Sequence, residues 1–261
     1  MLTMPLLATL MLAACTADKS ASNPDSTPAD DSAPTDDSAP ADDSAPPDDS
    51  APPDDTGGAE PLDGFGTITG DCFVLDDAEW SSTSPFLFRN SIDFGDATFD
   101  PSLLSAGGQE IYEEGTLGGS SGESEAIAFD VLYRCEGAEL VKSETEITYD
   151  DEGGKKTDIL VGIDGSKLGV SVTRAYVYPP EDPYTVELAT ELLNKKLPDI
   201  LLSSENVSDA DQWSRQILSI IAYAPEHADS IETAWAALDD ATRADTILYV
   251  TVSEGEDTFI Y

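Results

Sequence analysis

Basic residues are scarce in this chain: 12 Lys and Arg stand against 53 Asp and Glu, a formal net charge of −41. A field of that sign repels DNA, RNA and anionic lipid head groups at long range, so nucleic acid is not an expected partner. It suits a soluble, non-sticking surface domain, or one that meets cations or basic partners. Histidine is reduced to His227. A histidine-based metal site or a Ser-His-Asp triad therefore has little to build on. Flanked by Glu226 and Asp229 near an expected helix start, His227 reads as a solvated first-turn residue. Long apolar runs are missing as well. Pro5 to Ala14 is apolar and rich in small residues, but too short to span a bilayer. Cysteine is held to three residues: Cys15, Cys72 and Cys135.

Residues 1–14 have the apolar core of a signal peptide. Leu12-Ala13-Ala14-Cys15 resembles the lipobox of bacterial lipoproteins. That resemblance implies cleavage before Cys15, acylation of Cys15 (palmitate included), and a membrane partnership through the lipid anchor. Thr16, rather than Asp, follows the cysteine, which in this family implies sorting to the outer membrane, on its periplasmic or surface face. No Lys or Arg precedes the apolar run, a departure from the family's pattern. Export would place Cys72 and Cys135 in an oxidising compartment, where a disulfide is expected; two buried free thiols are the other reading.

Residues 15–58 form the next segment, lipidated Cys15 followed by a low-complexity stalk. Hexads such as Ala29-Asp30-Asp31-Ser32-Ala33-Pro34 and Thr35-Asp36-Asp37-Ser38-Ala39-Pro40 repeat along it. The apolar content is too low to offset chain entropy, and prolines with self-repelling aspartates favour an extended, disordered tether. About 40 residues at polyproline rise reach on the order of 120 Å. The paired aspartates lack the ligand spacing and closing Glu of a dedicated calcium loop. Outside Thr16–Gly58, 41 acidic and 11 basic residues remain.

Residues 59–119 read as an irregular β-rich cap, with strands expected near Phe65–Leu75 and a hairpin over Phe86–Phe99. Residues 120–261 read as the α/β core, packed with the cap as one domain. Gly118-Gly119-Ser120-Ser121-Gly122-Glu123 could cradle a phosphate, but it lacks a P-loop's Lys and spacing; Ser120 with Glu123 fits a capping box instead. A helix is expected over Glu123–Tyr133, and strands over Leu140–Tyr149, Ile159–Ile163 and Leu168–Val177. Asp164-Gly165 makes the turn between the last two. A helix follows over Thr185–Leu197, with Pro198 breaking or restarting it. Ser208 and Asp211 resemble a capping box for a further helix striped by Trp213, Ile217, Ile220 and Ile221. A third helix from Pro225 and a strand over Thr246–Val252 complete the core, and Phe259-Ile260-Tyr261 adds a short last strand. The fold class expected is α/β, with α+β as the neighbouring option: a mixed central sheet flanked by helices in helix-strand-strand-strand-helix-strand order.

That order, with a Glu on the first helix and Asp158 heading the second strand, resembles the restriction-endonuclease-like PD-(D/E)XK superfamily. The resemblance implies Mg²⁺ or Mn²⁺ held by carboxylates, here Asp158 and Glu125 (or Glu123), because hard cations take oxygen ligands and phosphoryl transfer uses a metal-bound water. Ser171 occupies the place of the family's third-strand carboxylate and Thr173 that of its lysine. Arg174 should point to the opposite face. Glu144, Lys155 or Lys167 are the residues that could have migrated into the role. Asp158 also fits a plain strand-start residue capping a turn. The expected function is a lipid-anchored domain with a non-catalytic, nuclease-like fold, serving binding or a structural role. The alternative is an extracytoplasmic metal-dependent nuclease or phosphodiesterase, and acidity alone would allow a simple cation-binding surface protein.

Overall fold

The backbone reverses at Asp164 and Gly165, whose φ angles of 47° and 82° are the left-handed pair that a two-residue hairpin turn requires. In the computed structural model, which describes residues 64–117 and 121–261, this turn joins strand β4 (Ile159–Ile163) to β5 (Ser166–Ala175). The segments expected as signal peptide and stalk, with Cys15, and Ser120 lie outside the described residues.

Among the described residues, seven strands make one mixed sheet in the order β1-β2-β7-β6-β5-β4-β3. They are β1 (Thr67–Gly70), β2 (Phe86–Asp93), β3 (Glu139–Ser143), β4, β5, β6 (Arg215–Ala222) and β7 (Ile247–Glu254). β2, β7, β6 and β5 run parallel; β1 pairs antiparallel with β2, and β3 and β4 extend the other edge antiparallel. Helices flank both faces. α2 (Ala106–Glu114) and α3 (Gly122–Glu136) supply Ile111, Ile127, Val131 and Leu132 to a core shared with Ile159, Val170, Val172 and Ile217. On the other face α4 (Val186–Asn206) and α5 (Pro225–Ala237) place Ala189, Leu193, Ile231 and Ala234 against Ala175, Leu218 and Val250. Two short helices, α1 (Asp77–Ser81) and α6 (Asp240–Arg243), fill connections. The α/β class and mixed sheet are those expected from the order of elements.

Several local expectations change. The segment expected as an irregular cap supplies β1 and β2, and Phe86–Phe99 gives one strand instead of a hairpin. β2 pairs with β7 over eight residues, Phe86 with Ile247 to Asp93 with Glu254. Trp213–Ile221 is not a helix: β6 is buried at all eight positions. A parallel strand covered on both faces has no polar side to reveal its period. Asp211 therefore caps no helix there. It accepts from Lys142 Nζ (2.7 Å), Thr148 N–H (2.8 Å) and Thr148 Oγ1 (2.6 Å) and pins the chain after β3. That chain leaves the sheet after Ser143, so the strand expected to reach Tyr149 stops early, although Tyr149 makes an isolated bridge to Val207. α4 runs straight through Pro198. Pro198 and Asn194 both lie on the exposed side, where water can satisfy the Asn194 carbonyl that proline leaves without its helical N–H. Phe259-Ile260 falls in a 3-10 turn, Thr258–Ile260, not a strand. Cys72 and Cys135 are bonded, with Sγ–Sγ 2.02 Å and Cα–Cα 4.6 Å, tying the segment after β1 to the last turn of α3.

Candidate functional site

β4 begins at Ile159 opposite Val170, and β3 ends at Ser143 opposite Ile159. β5 continues to Ala175, so its second half runs past the ends of both antiparallel neighbours. The step leaves a notch beside β5. Asp158 lies one residue before β4, and Glu144 one residue after β3. Glu125 enters from the first turn of α3, and Arg174 from β5.

The charges in this notch act on one another. Glu125 is 3 % exposed. Burial first, and then the neighbouring Asp158, push its carboxyl up to about 8; a hydrogen bond from Ser121 and the charge of Arg174 oppose this, and Glu144 adds to it. Asp158 is pushed up to about 6, again by burial first, against the Val172 N–H and the charge of Lys196 on α4. Its Oδ2 accepts the Val172 N–H at 2.6 Å, and its own N–H donates to the Val170 carbonyl at 3.1 Å. Asp158 thus continues the β4 ladder with its side chain, as a strand-start cap does. Glu144 Oε2 accepts the Leu117 N–H at 2.8 Å, and Arg174 Nη1 donates to the Ile260 carbonyl at 2.6 Å.

This geometry changes which β5 residues meet Glu125. Val170 and Val172 belong to the core under α3, and alternation puts Arg174 on that same face. Ser171 and Thr173 share the opposite face with Ala175, toward α4 and α5. Ser171 Oγ lies 3.3 Å from Thr157 Oγ1, and Thr173 is half-buried. Arg174 thus faces away from Ser171 and Thr173, as alternation leads one to expect, but it is the Arg174 face and not the Ser171 face that lies under α3 with Glu125. The Asp158 carboxylate bends onto a backbone N–H of β5 rather than standing over Ser171, so the pairing register does not carry its chemistry to that face. Lys155 pairs with Asp199 at 2.8 Å and Lys167 Nζ donates to the Ala210 carbonyl at 3.2 Å, so both are engaged elsewhere. Glu123 is half-buried in the first turn of α3.

The donor set of the notch does not fit a divalent cation. Mg²⁺ and Mn²⁺ need several oxygens converging at about 2 Å from one point. Asp158 and Glu144 each commit an oxygen to a backbone N–H, burial raises the Glu125 carboxyl, β5 offers Val172 and Arg174, and among the described residues the oxygens of Glu125, Asp158 and Glu144 do not converge as a ligand group. Among the described residues, three carboxylates bring ligand oxygens within 4.8 Å of one another at Glu110, Glu114 and Glu146, all exposed. The spacing of Glu110 and Glu114, one turn apart on a helix, was the available signal for that pair; Glu146 arrives through the turn after β3.

His227 is not solvated. It is 5 % exposed, its Nδ1 lies 2.8 Å from the Ala175 carbonyl, and its ring stacks on Tyr184 with centroids 4.8 Å apart. The start of α5 abuts the end of β5, which buries a first-turn side chain that sequence reasoning places in water.

Among known proteins, no family model matches the chain. A curated relative, the AAC-rich mRNA clone AAC4 protein of Dictyostelium discoideum, is 39% identical over 154 residues. The match takes in 57% of this chain and 22% of that protein, so the chain spans about a fifth of the length of the relative. Among solved structures, SfsA of Pyrococcus furiosus in complex with Ca²⁺ aligns over 51% of this chain and 56% of that one, at 14% identity and a TM-score of 0.25. That score is too low to support an argument about fold or function. Among the described residues no helix is long and apolar enough to cross a membrane.

Proposed function

We propose that this chain is a lipid-anchored protein of the bacterial cell envelope whose α/β domain works by binding, or as a structural element, rather than by catalysis. Cys15 carries the anchor, the acidic repeats lift the domain from the membrane, and the outer membrane is its location. One observation carries the non-catalytic part: the notch commits its polar groups to the protein itself. Asp158 holds Val172, Glu144 holds Leu117 and Arg174 holds Ile260, while Glu125 is buried.

The alternative, an extracytoplasmic metal-dependent nuclease or phosphodiesterase, is favoured by the same carboxylates, because perturbed acids cluster at functional sites. Titration of the full chain with Mg²⁺ and Mn²⁺, beside Asp158→Ala, separates the two. The binding reading expects no metal heat that depends on Asp158; a tight site abolished by the substitution would establish the alternative. The anchor is tested separately by fractionation: Cys15→Ala should release the protein from membranes, and full retention would refute the lipidation.

A further inference from the structure

The connections of the sheet change face beside β2. β5 and β6 lead into α4 and α5 on one face, whereas β2 leads into α2 and α3 on the other. In open α/β sheets a crevice opens at the carboxyl ends of the strands where connections diverge in this way. Here the loops after β2 and β7 are laced together at that place. Phe94 N–H donates to the Glu254 carbonyl at 3.0 Å, Glu256 N–H to the Gly95 carbonyl at 2.8 Å, and Gly95 N–H to Asp93 Oδ1 at 2.8 Å. Gly255 has φ 80°, and a Cβ there would lie 2.5 Å from the Gly95 nitrogen, so the loops touch backbone to backbone.

Over this joint lies a cavity of about 280 Å³ lined by Asp96, Thr98, Phe99, Glu256, Thr258 and Phe259, with Ala97 beside them. Its apolar wall is aromatic. Phe99 and Phe259 stack with centroids 4.7 Å apart, and Phe65 backs both at 5.6 and 5.8 Å. Asp96 and Glu256 are exposed, and neither has an ion-pair partner among the described residues.

We propose that this crevice binds a small organic cation, an alkylammonium whose methylenes lie on Phe99 and Phe259 and whose charge meets Asp96 and Glu256. The lining selects against the other ligand classes. An anion meets two carboxylates in a strongly acidic protein. A bare metal ion would find only two carboxylates, which do not converge with a third, and would leave the Phe99 and Phe259 wall unused. A neutral apolar solute would strip water from carboxylates without replacing it. An alkylammonium satisfies both halves, because aromatic rings attract cations as well as methylenes. The inference uses residues apart from the notch and stands independently of the membrane anchor.

The test is calorimetric titration of the full chain with 1,5-diaminopentane at low salt, with 1,5-pentanediol as the uncharged control. Hydrogen exchange of the diamine complex locates the site. The expected result is saturable heat with the diamine and none with the diol, with protection over residues 93–99 and 254–259. Asp96→Asn combined with Glu256→Gln weakens binding by about ten-fold, the scale of two partly exposed charge pairs. Thr98→Trp, which fills the crevice at an exposed position and leaves every charge in place, abolishes it. Heat that is unchanged in both variants would assign the binding to the stalk aspartates and overturn the proposal, as would protection elsewhere or no saturable binding.

Discussion

Replacing Glu125 by Gln should make this acidic protein more stable at alkaline pH while changing little at pH 5. Glu125 has an ordinary value of 4.5 and is held at about 8 in the fold. Between those values the native state binds a proton that the unfolded chain releases. The stability associated with that proton is fully present below 4.5 and is lost as pH rises through 8. The shift corresponds to roughly 4–5 kcal/mol across the window, an upper figure because Asp158 titrates beside it. Gln reproduces the protonated acid in shape and removes the titration. Urea unfolding of both proteins between pH 5 and pH 8.5, with the disulfide intact, gives the comparison through the shift in midpoint. Self-repulsion of the other carboxylates also grows with pH, but it is common to both proteins and cancels in the difference. At pH 5 the two should agree within about 1 kcal/mol. At pH 8.5 the Gln variant should be ahead by several, on the order of 3 kcal/mol. Curves that stay parallel across the whole range, or a Gln variant that is weaker at pH 8.5, would refute the reading of a buried, neutral Glu125.

Gly255→Ala should cost about 2 kcal/mol or more in urea unfolding, because the new Cβ meets Gly95 backbone at φ 80°; a change below about 0.5 kcal/mol would mean the loops are not locked. Replacing Cys72 and Cys135 together by Ala opens a link spanning 63 residues and should lower stability by about 4 kcal/mol, with reductant no longer affecting the unfolding midpoint. Arg174→Met should loosen the Thr258–Ile260 turn by removing the donor to the Ile260 carbonyl, read as faster hydrogen exchange over residues 257–261; unchanged exchange would mean the turn is held by its aromatic contacts alone.

The elements that could be read from sequence are those whose signal is local. Asp164-Gly165 between two β-rich runs needs no tertiary information, because only a left-handed pair closes a two-residue hairpin. β6 was opaque for the opposite reason. Trp213, Ile217, Ile220 and Ile221 mimic a helical stripe, and burial on both faces removes the alternation that would have exposed the error. Pro198 misled because a proline rule written for buried helix interiors is relaxed on a wet face. At the candidate site Glu125, Asp158 and Glu144 are brought into electrostatic contact, but alternation turns Val172 and Arg174 of β5, not Ser171, toward α3. Which β5 face packs under α3 is a tertiary choice that no spacing encodes.

The place of β7 has a consequence for how the protein is made. The seventh strand in chain order lies between β2 and β6, so a central ladder of the sheet waits for the last strand to arrive. Until then β2 has no parallel neighbour, and the pairings that unite the two halves of the sheet span more than 150 residues of chain. Closing such distant contacts is entropically slow, and a nascent chain lacking β7 cannot settle into the native sheet. A domain built in this way can complete its sheet only after its last strand has been made.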